Sequence, residues 1–199
     1  MNEELYRKLW AKSDPWHPLW CHLFDVAAAC QALLPHFGSV APLPDEWVCL
    51  LVGAHDIGKA DDWFQNKDDK EGGLAEKLRA IDPELPVWSS TTNDCLRRFR
   101  HEARSAVWLR EHLAARGWST LLAIPTVTTA ITGHHGDFAA GAYEEENPAR
   151  KKHWDTLREA LWKRLYEAIA PPEFVLERFP HAGVAGLKLS GLIVLSDWL

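Results

Sequence analysis

The chain has 199 residues, room for one sizeable domain and little for two. Hydrophobic residues make up 47% and charged residues 25%, the balance of an ordinary soluble globular protein. A net charge of −6 argues against a broad basic surface for gripping duplex DNA, but leaves room for a nucleic-acid substrate held by metal ions and a few local arginines.

No run reaches about 18 apolar residues, so no membrane-spanning helix is expected. The start, MNEELYRKLW, is charged and amphipathic and lacks the apolar centre of a secretory signal, which makes the cytoplasm the expected compartment. Cys21, Cys30, Cys49 and Cys95 lie at irregular intervals with no CxxC pair and read as reduced packing residues. The tryptophans form no repeat and read as core or half-buried anchors.

In chain order the pattern is almost wholly helical. His17 to Leu34 places Leu19, Leu23, Val26, Cys30 and Leu33 at three-to-four spacing, a buried helix face that Pro35 and Gly38 should stop. Pro44 to Ile57 opens with acids and should close at Gly58 in a left-handed cap. ADDWFQN starts a short helix. Arg97 to Arg116 follows Asp94, an N-cap candidate, and ends at Gly117. Pro125 to His135 is closed by Gly136, and a long amphipathic helix follows from Pro148. Ala185 to Leu199 is apolar on nearly every side and should run through the middle of the bundle. Strand signals are weak. The expectation is an all-α, compact helical bundle, one domain over residues 1–199. Because IVLSDWL stops in mid-helix without a cap, the sequence reads as the N-terminal part of a longer chain.

The chemistry lies in polar residues on apolar stripes. His55 follows Leu51 and Val52 on the buried face of its helix. Asp56 sits at the C-terminal end, where the helix dipole disfavours a carboxylate, so it needs a compensating cation. A lone His-Asp pair has a plainer reading, a backbone-bonded histidine and a helix cap. The pair has company, however. His22 lies between Leu19 and Val26, with Asp25 on the same side to orient its ring. His101 shares a face with Ser105, whose small side chain leaves room for an ion. His134 follows Val127, Ala130 and Ile131, with His135 beside it, and Asp197 follows Ile193 and Val194. Imidazole and carboxylate together suit Mn²⁺, Fe²⁺, Co²⁺, Ni²⁺ or Zn²⁺. Seven candidate ligands exceed the needs of one open ion, which points to two ions sharing a carboxylate.

The motifs HPLWCHLFDVA, GAHDIGK, HEARSA, GHHGDF and LSDWL, in that order, resemble the N-terminal nuclease domain of the CRISPR-associated helicase–nuclease of type I interference systems, a branch of the HD phosphohydrolase superfamily. The resemblance implies an all-α fold around two divalent ions (Mn²⁺, Fe²⁺, Co²⁺, Ni²⁺ or Mg²⁺). It implies that His22, His55, Asp56 and Asp197 hold one ion, and that Asp56 bridges to a second held by His101, His134 and His135. It sets Lys59 near the scissile phosphate, with His55 and Asp56 at the catalytic centre. The implied substrate is single-stranded DNA, and the implied partners are a helicase in the same chain and an RNA-guided surveillance complex; the chain itself is expected as a monomer. A nucleotide phosphohydrolase and a non-catalytic, metal-folded interaction module are the alternatives.

Arg97, Arg98, Arg100 and Arg104 flank His101 as possible DNA contacts, against the commoner reading of a solvated face. ARKKHW is a second basic cluster of the same kind. Trp63 and Phe64 read as packing residues and Asp137 as a turn residue. His17, His36, His112, His153 and His181 show no convergent stripe; His112 lies about 16 Å along the helix from His101.

Overall fold

The computed structural model describes residues 3–66, 74–85, 100–136 and 148–199. Helices dominate, as expected, in the order α1 (Glu3–Tyr6), β1 (Trp10–Ser13), β2 (Trp16–Pro18), α2 (Leu19–Phe37), α3 (Asp45–Gly53), a 3-10 segment (Ala54–Lys59), α4 (Asp62–Gln65), α5 (Leu74–Ile81), α6 (His101–Ala115), α7 (Ile124–Gly133), α8 (Pro148–Ile169) and α9 (Ala182–Trp198).

α2 and α3 pack side by side at the centre, α6 lies along the 3-10 segment, and α9 spans α2 and α7. Two glycines on either side of the His-Asp pair set these approaches. A Cβ at Gly53 would lie 2.9 Å from the Leu23 carbonyl oxygen, so only glycine lets α3 close on α2 here. At Gly58 a Cβ would lie 2.2 Å from the His101 carbonyl oxygen and 2.4 Å from the Ser105 amide nitrogen. The Gly58 amide instead donates to Ser105 Oγ at 2.8 Å. Gly58 is therefore a close-approach residue and not the left-handed cap expected, and Ser105 is small because backbone meets it, not because an ion does. Helical geometry itself ends at Gly53, and the chain tightens into the 3-10 segment that carries His55 and Asp56.

Several other expectations need correction. Pro35 lies inside α2, in its last turn, where it removes one helical hydrogen bond without ending the helix, and Gly38 at φ 70° makes the stop. A two-stranded antiparallel hairpin, β1 paired with β2, was not signalled by periodicity because its strands are only four and three residues long. α9 does not run through the middle: it buries Ala185, Leu189, Leu192 and Ile193 and leaves Val184, Leu187 and Trp198 exposed. The expected N-cap Asp94 and the residues Cys95, Arg97, Arg98 and Asp137 lie outside the described residues. The remaining cysteines Cys21, Cys30 and Cys49 are free thiols, as expected. Of the tryptophans, Trp47, Trp154 and Trp162 are fully buried, whereas Trp16 and Trp198 are exposed. Among the described residues no helix is long and apolar enough to cross a membrane.

A buried ion network backs the 3-10 segment. Arg158 of α8, 1% exposed, reaches Asp61 at 3.0 Å and Asp155 at 2.7 Å, and Arg104 of α6 lies 3.3 Å from the same Asp61 oxygen. Asp62 pairs with Arg150. Asp61 also caps α4 by accepting from the Trp63 amide. These pairs tie the loop after the His-Asp pair to two helices far away in sequence.

Candidate metal centre

The seven candidate ligands converge. His22 comes from the buried stripe of α2, His55 and Asp56 from the 3-10 segment, His101 from the first turn of α6, His134 and His135 from the turn after α7, and Asp197 from the last turn of α9. They sort into two groups. One donor atom from each of His22, His55, Asp56 and Asp197 lies within 4.8 Å of the others, and the same holds for His101, His134 and His135.

Asp56 stands between the groups. Its Oδ2 lies 2.9 Å from His22 Nε2 and 3.3 Å from His55 Nε2, while its Oδ1 lies 3.1 Å from His101 Nε2 and 3.9 Å from His134 Nε2. Asp197 Oδ1 approaches His22 Nε2 at 3.4 Å. His101 Nε2 and His135 Nε2 face each other at 3.2 Å.

Two rings are held from behind by their own chain. His55 Nδ1 donates to the Val52 carbonyl at 2.9 Å, and His134 Nδ1 donates to the Ile131 carbonyl. That bond fixes the tautomer and turns each Nε2 lone pair inward, the arrangement of a metal-ligating histidine. His55 Nε2, His134 Nε2, Asp56 Oδ1 and Asp197 Oδ1 are buried without a hydrogen-bond partner. Buried polar atoms are rarely left so, because each costs its lost hydration. Nitrogen and carboxylate oxygen at these separations fit divalent cations, which would satisfy all four at once.

Electrostatics point the same way. Burial alone would raise the Asp56 carboxyl, but the charges of His55, Lys59 and His101 outweigh it and hold the group well below the usual carboxylate range. Burial and the Asp56 charge work to raise Asp197, and His55, His22 and Lys12 reverse them, so it too is lowered. Burial pushes His22 down against the pull of Asp56, and lowers His134 to about 4 with help from His55. His135 is lowered by burial and by His101. Imidazoles lowered at His22, His134 and His135, beside carboxyls lowered at Asp56 and Asp197, favour the protonation states a metal requires.

Other expected site residues fall elsewhere. Lys59 Nζ sits 2.6 Å from Asp56 Oδ2 and 3.3 Å from the Ala11 carbonyl, inside the protein and beside the ligands. Asp25 does not orient His22: it points outward and pairs with His17 at 3.0 Å, since helical spacing put it on the right side but one ring too far out. Arg104 turns inward to Asp61, and Arg100 pairs with Glu102. His112 stacks on Trp108 with ring centroids 4.6 Å apart and pairs with Glu159, away from the site. Phe64 is buried between Trp10 and His101, as packing requires. Sequence reasoning missed Lys12, whose Nζ lies 3.4 Å from Asp197 Oδ1, and Gln65. Gln65 accepts from the Trp10 amide and donates to the Trp10 and Lys59 carbonyls, which fastens the hairpin to the 3-10 segment. The signal for this hairpin was SDPW, a turn composition between two aromatic positions.

The family model for the HD domain of Cas3 matches residues 10–199. The chain belongs to the Cas3 HD-domain family. It is 31% identical to the CRISPR-associated endonuclease/helicase Cas3 of Thermus thermophilus, with 99% of this chain aligned to 22% of that protein. The chain thus spans about a fifth of the curated relative it matches. A solved CRISPR-associated protein superposes with a TM-score of 0.77 at 29% identity, over 97% of this chain and 22% of the other. The Cas3 HD domain of Thermus thermophilus, crystallised in the presence of Ni²⁺, shares the fold, with a TM-score of 0.60 at 23% identity over 98% of this chain and 76% of that one. The fold gathers the candidate ligands from elements scattered along the chain, which is why composition alone is silent about them.

Proposed function

We propose that this chain is the nuclease domain of a Cas3 protein, cutting single-stranded DNA with two divalent ions, and that it precedes a helicase in a longer chain recruited by an RNA-guided surveillance complex. One observation carries the reading: Asp56 turns one oxygen to each of two histidine groups, and each group holds a buried nitrogen without a hydrogen-bond partner, His55 Nε2 in one and His134 Nε2 in the other. The curated relative's name, endonuclease/helicase, and the Ni²⁺ present with the Thermus thermophilus domain support it.

His22, His55, Asp56 and Asp197 would hold one divalent ion, and Asp56, His101, His134 and His135 another; such ions would supply water activation at neutral pH and charge neutralisation at phosphorus. The protein's share is positional. The Val52 and Ile131 carbonyls lock the His55 and His134 rings, so the ligands are set before substrate arrives. Burial of His22, His55 and Asp56 makes a closed floor, and the exposed side of His135 marks where a phosphodiester approaches. Lys59, paired with Asp56, keeps that carboxylate ionised. No side chain need serve as general base.

The test is incubation of the metal-loaded chain with circular single-stranded DNA, which offers no free ends. Linearisation with Mn²⁺, Fe²⁺, Co²⁺ or Ni²⁺ is expected, and none with chelator. Intact circles under every metal, alongside phosphate release from mononucleotides, would instead make it a nucleotide phosphohydrolase.

A further inference from the structure

Two lysines stand beside the ligand cluster, and they differ in access. Lys59 is 9% exposed and already engaged by Asp56 and the Ala11 carbonyl. Lys12, the next residue along β1, is 47% exposed, with Nζ 3.4 Å from Asp197 Oδ1 and 3.2 Å from the Asp197 carbonyl. Ala11 is buried and offers its carbonyl to Lys59, whereas Lys12, just past an irregularity in the strand register, is exposed at the rim. The strand is firmly placed. Trp10 exchanges three hydrogen bonds with Gln65, and the Leu19 amide donates to the Leu9 carbonyl at 2.8 Å. The cross-strand partner of Lys12 is His17, whose ring lies 6.0 Å from that of His22, so this face of the hairpin looks onto the cluster.

We propose that Lys12 is a substrate-binding residue that holds a backbone phosphate of single-stranded nucleic acid at the mouth of the metal centre. This rests on the nuclease reading above. A half-exposed ion pair is weak, and the lysine stem is flexible, so Asp197 does not confine the ammonium. Asp197 Oδ1 is also one of the candidate ligand atoms and accepts no hydrogen bond, and a divalent ion taking it would displace Lys12 by competition and by repulsion between cations. The displaced ammonium stays on the hairpin rim, where the nearest anion of substrate is a phosphate. Lys59, enclosed by Asp56, Ala11 and the Phe64 ring, has no such route.

The experiment compares the 199-residue chain with Lys12→Ala and Lys12→Arg, all metal-loaded. Fluorescence anisotropy follows a single-stranded phosphorothioate oligothymidylate, which keeps its charge and resists hydrolysis, over a range of salt. Metal content and the KM and kcat for circular DNA are measured beside it. Losing one phosphate contact should weaken binding and flatten the log–log salt slope by about 0.7. KM should rise more than kcat falls, metal content should hold, and Lys12→Arg should restore the slope. Unchanged affinity and slope in Lys12→Ala, beside a parent chain that binds and cuts, would overturn the role of Lys12 alone. Reduced metal content with unchanged oligonucleotide binding would equally overturn it, by assigning the lysine to Asp197. A parent chain that neither binds the oligonucleotide nor cuts DNA removes the nuclease reading and this inference with it.

Discussion

His101 Nε2 lies 3.1 Å from Asp56 Oδ1, on the side of the carboxylate away from His22. One acid thus faces two histidine groups, and its removal should strip both. Asp56→Ala is expected to lose bound metal at both positions and to cut DNA more than about a hundred-fold more slowly, beyond the usual cost of losing an outer partner of a ligand. His112→Ala, whose ring stacks on Trp108 outside the cluster, should keep parental metal content. Elemental analysis of the two variants checks both statements.

Gly58→Ala tests the contact that brings His101 to the site. The added methyl meets backbone, the His101 carbonyl at 2.2 Å, so no rotamer change relieves it. A loss of about 1–3 kcal/mol of stability is expected, as for other overpacked cores. Thermal melts in chelator should show it, and His135-side metal should be lost first because α6 must move.

Arg158 and Asp61 form a pair that is 1% exposed on both sides. Arg158→Met leaves the Asp61 charge in the interior without its nearer arginine, with Arg104 at 3.3 Å. Removing one partner of a buried pair costs about 3–5 kcal/mol. Chemical denaturation should show a lowered midpoint, and refolded protein at low temperature should still bind metal, since neither residue touches the cluster.

Acid should release the metal late. Burial and the neighbouring His55 lower His134 to about 4 from an ordinary 6.5, and His22 and His135 are lowered too. A lowered histidine pKa means that these three rings stay neutral through the interval where a free histidine charges. Metal should therefore remain bound as pH falls through 6.5 and leave only on approach to about 4. Retained metal measured across a pH series checks this; release centred near 6.5 would count against the buried site.

Most candidate ligands were legible because they break an apolar stripe: His22 between Leu19 and Val26, His134 after Ala130 and Ile131. Which ligands share a group was not legible from periodicity, since α2, α6 and α9 meet only through tertiary packing; the family likeness supplied it. Spacing also misled. Asp25 and Arg104 lie at suitable helical offsets, yet one bonds His17 and the other Asp61, because a helix face says which side a residue takes and not what packs there. Gly58 looked like a cap, and its reason is a crossing backbone that no local pattern records. Lys12 was invisible for the same reason: its contact with Asp197 joins opposite ends of the chain. The apolar run of α9 implied full burial, whereas Leu187 and Trp198 are open.

Anomalous scattering from crystals of the Mn²⁺-loaded chain tests the central claim most directly. The expected map has two peaks flanking the Asp56 carboxylate, one among His22, His55 and Asp197 and the other among His101, His134 and His135. A map with no peak at Asp56, and with His55 Nε2 and His134 Nε2 turned away from each other, would contradict it.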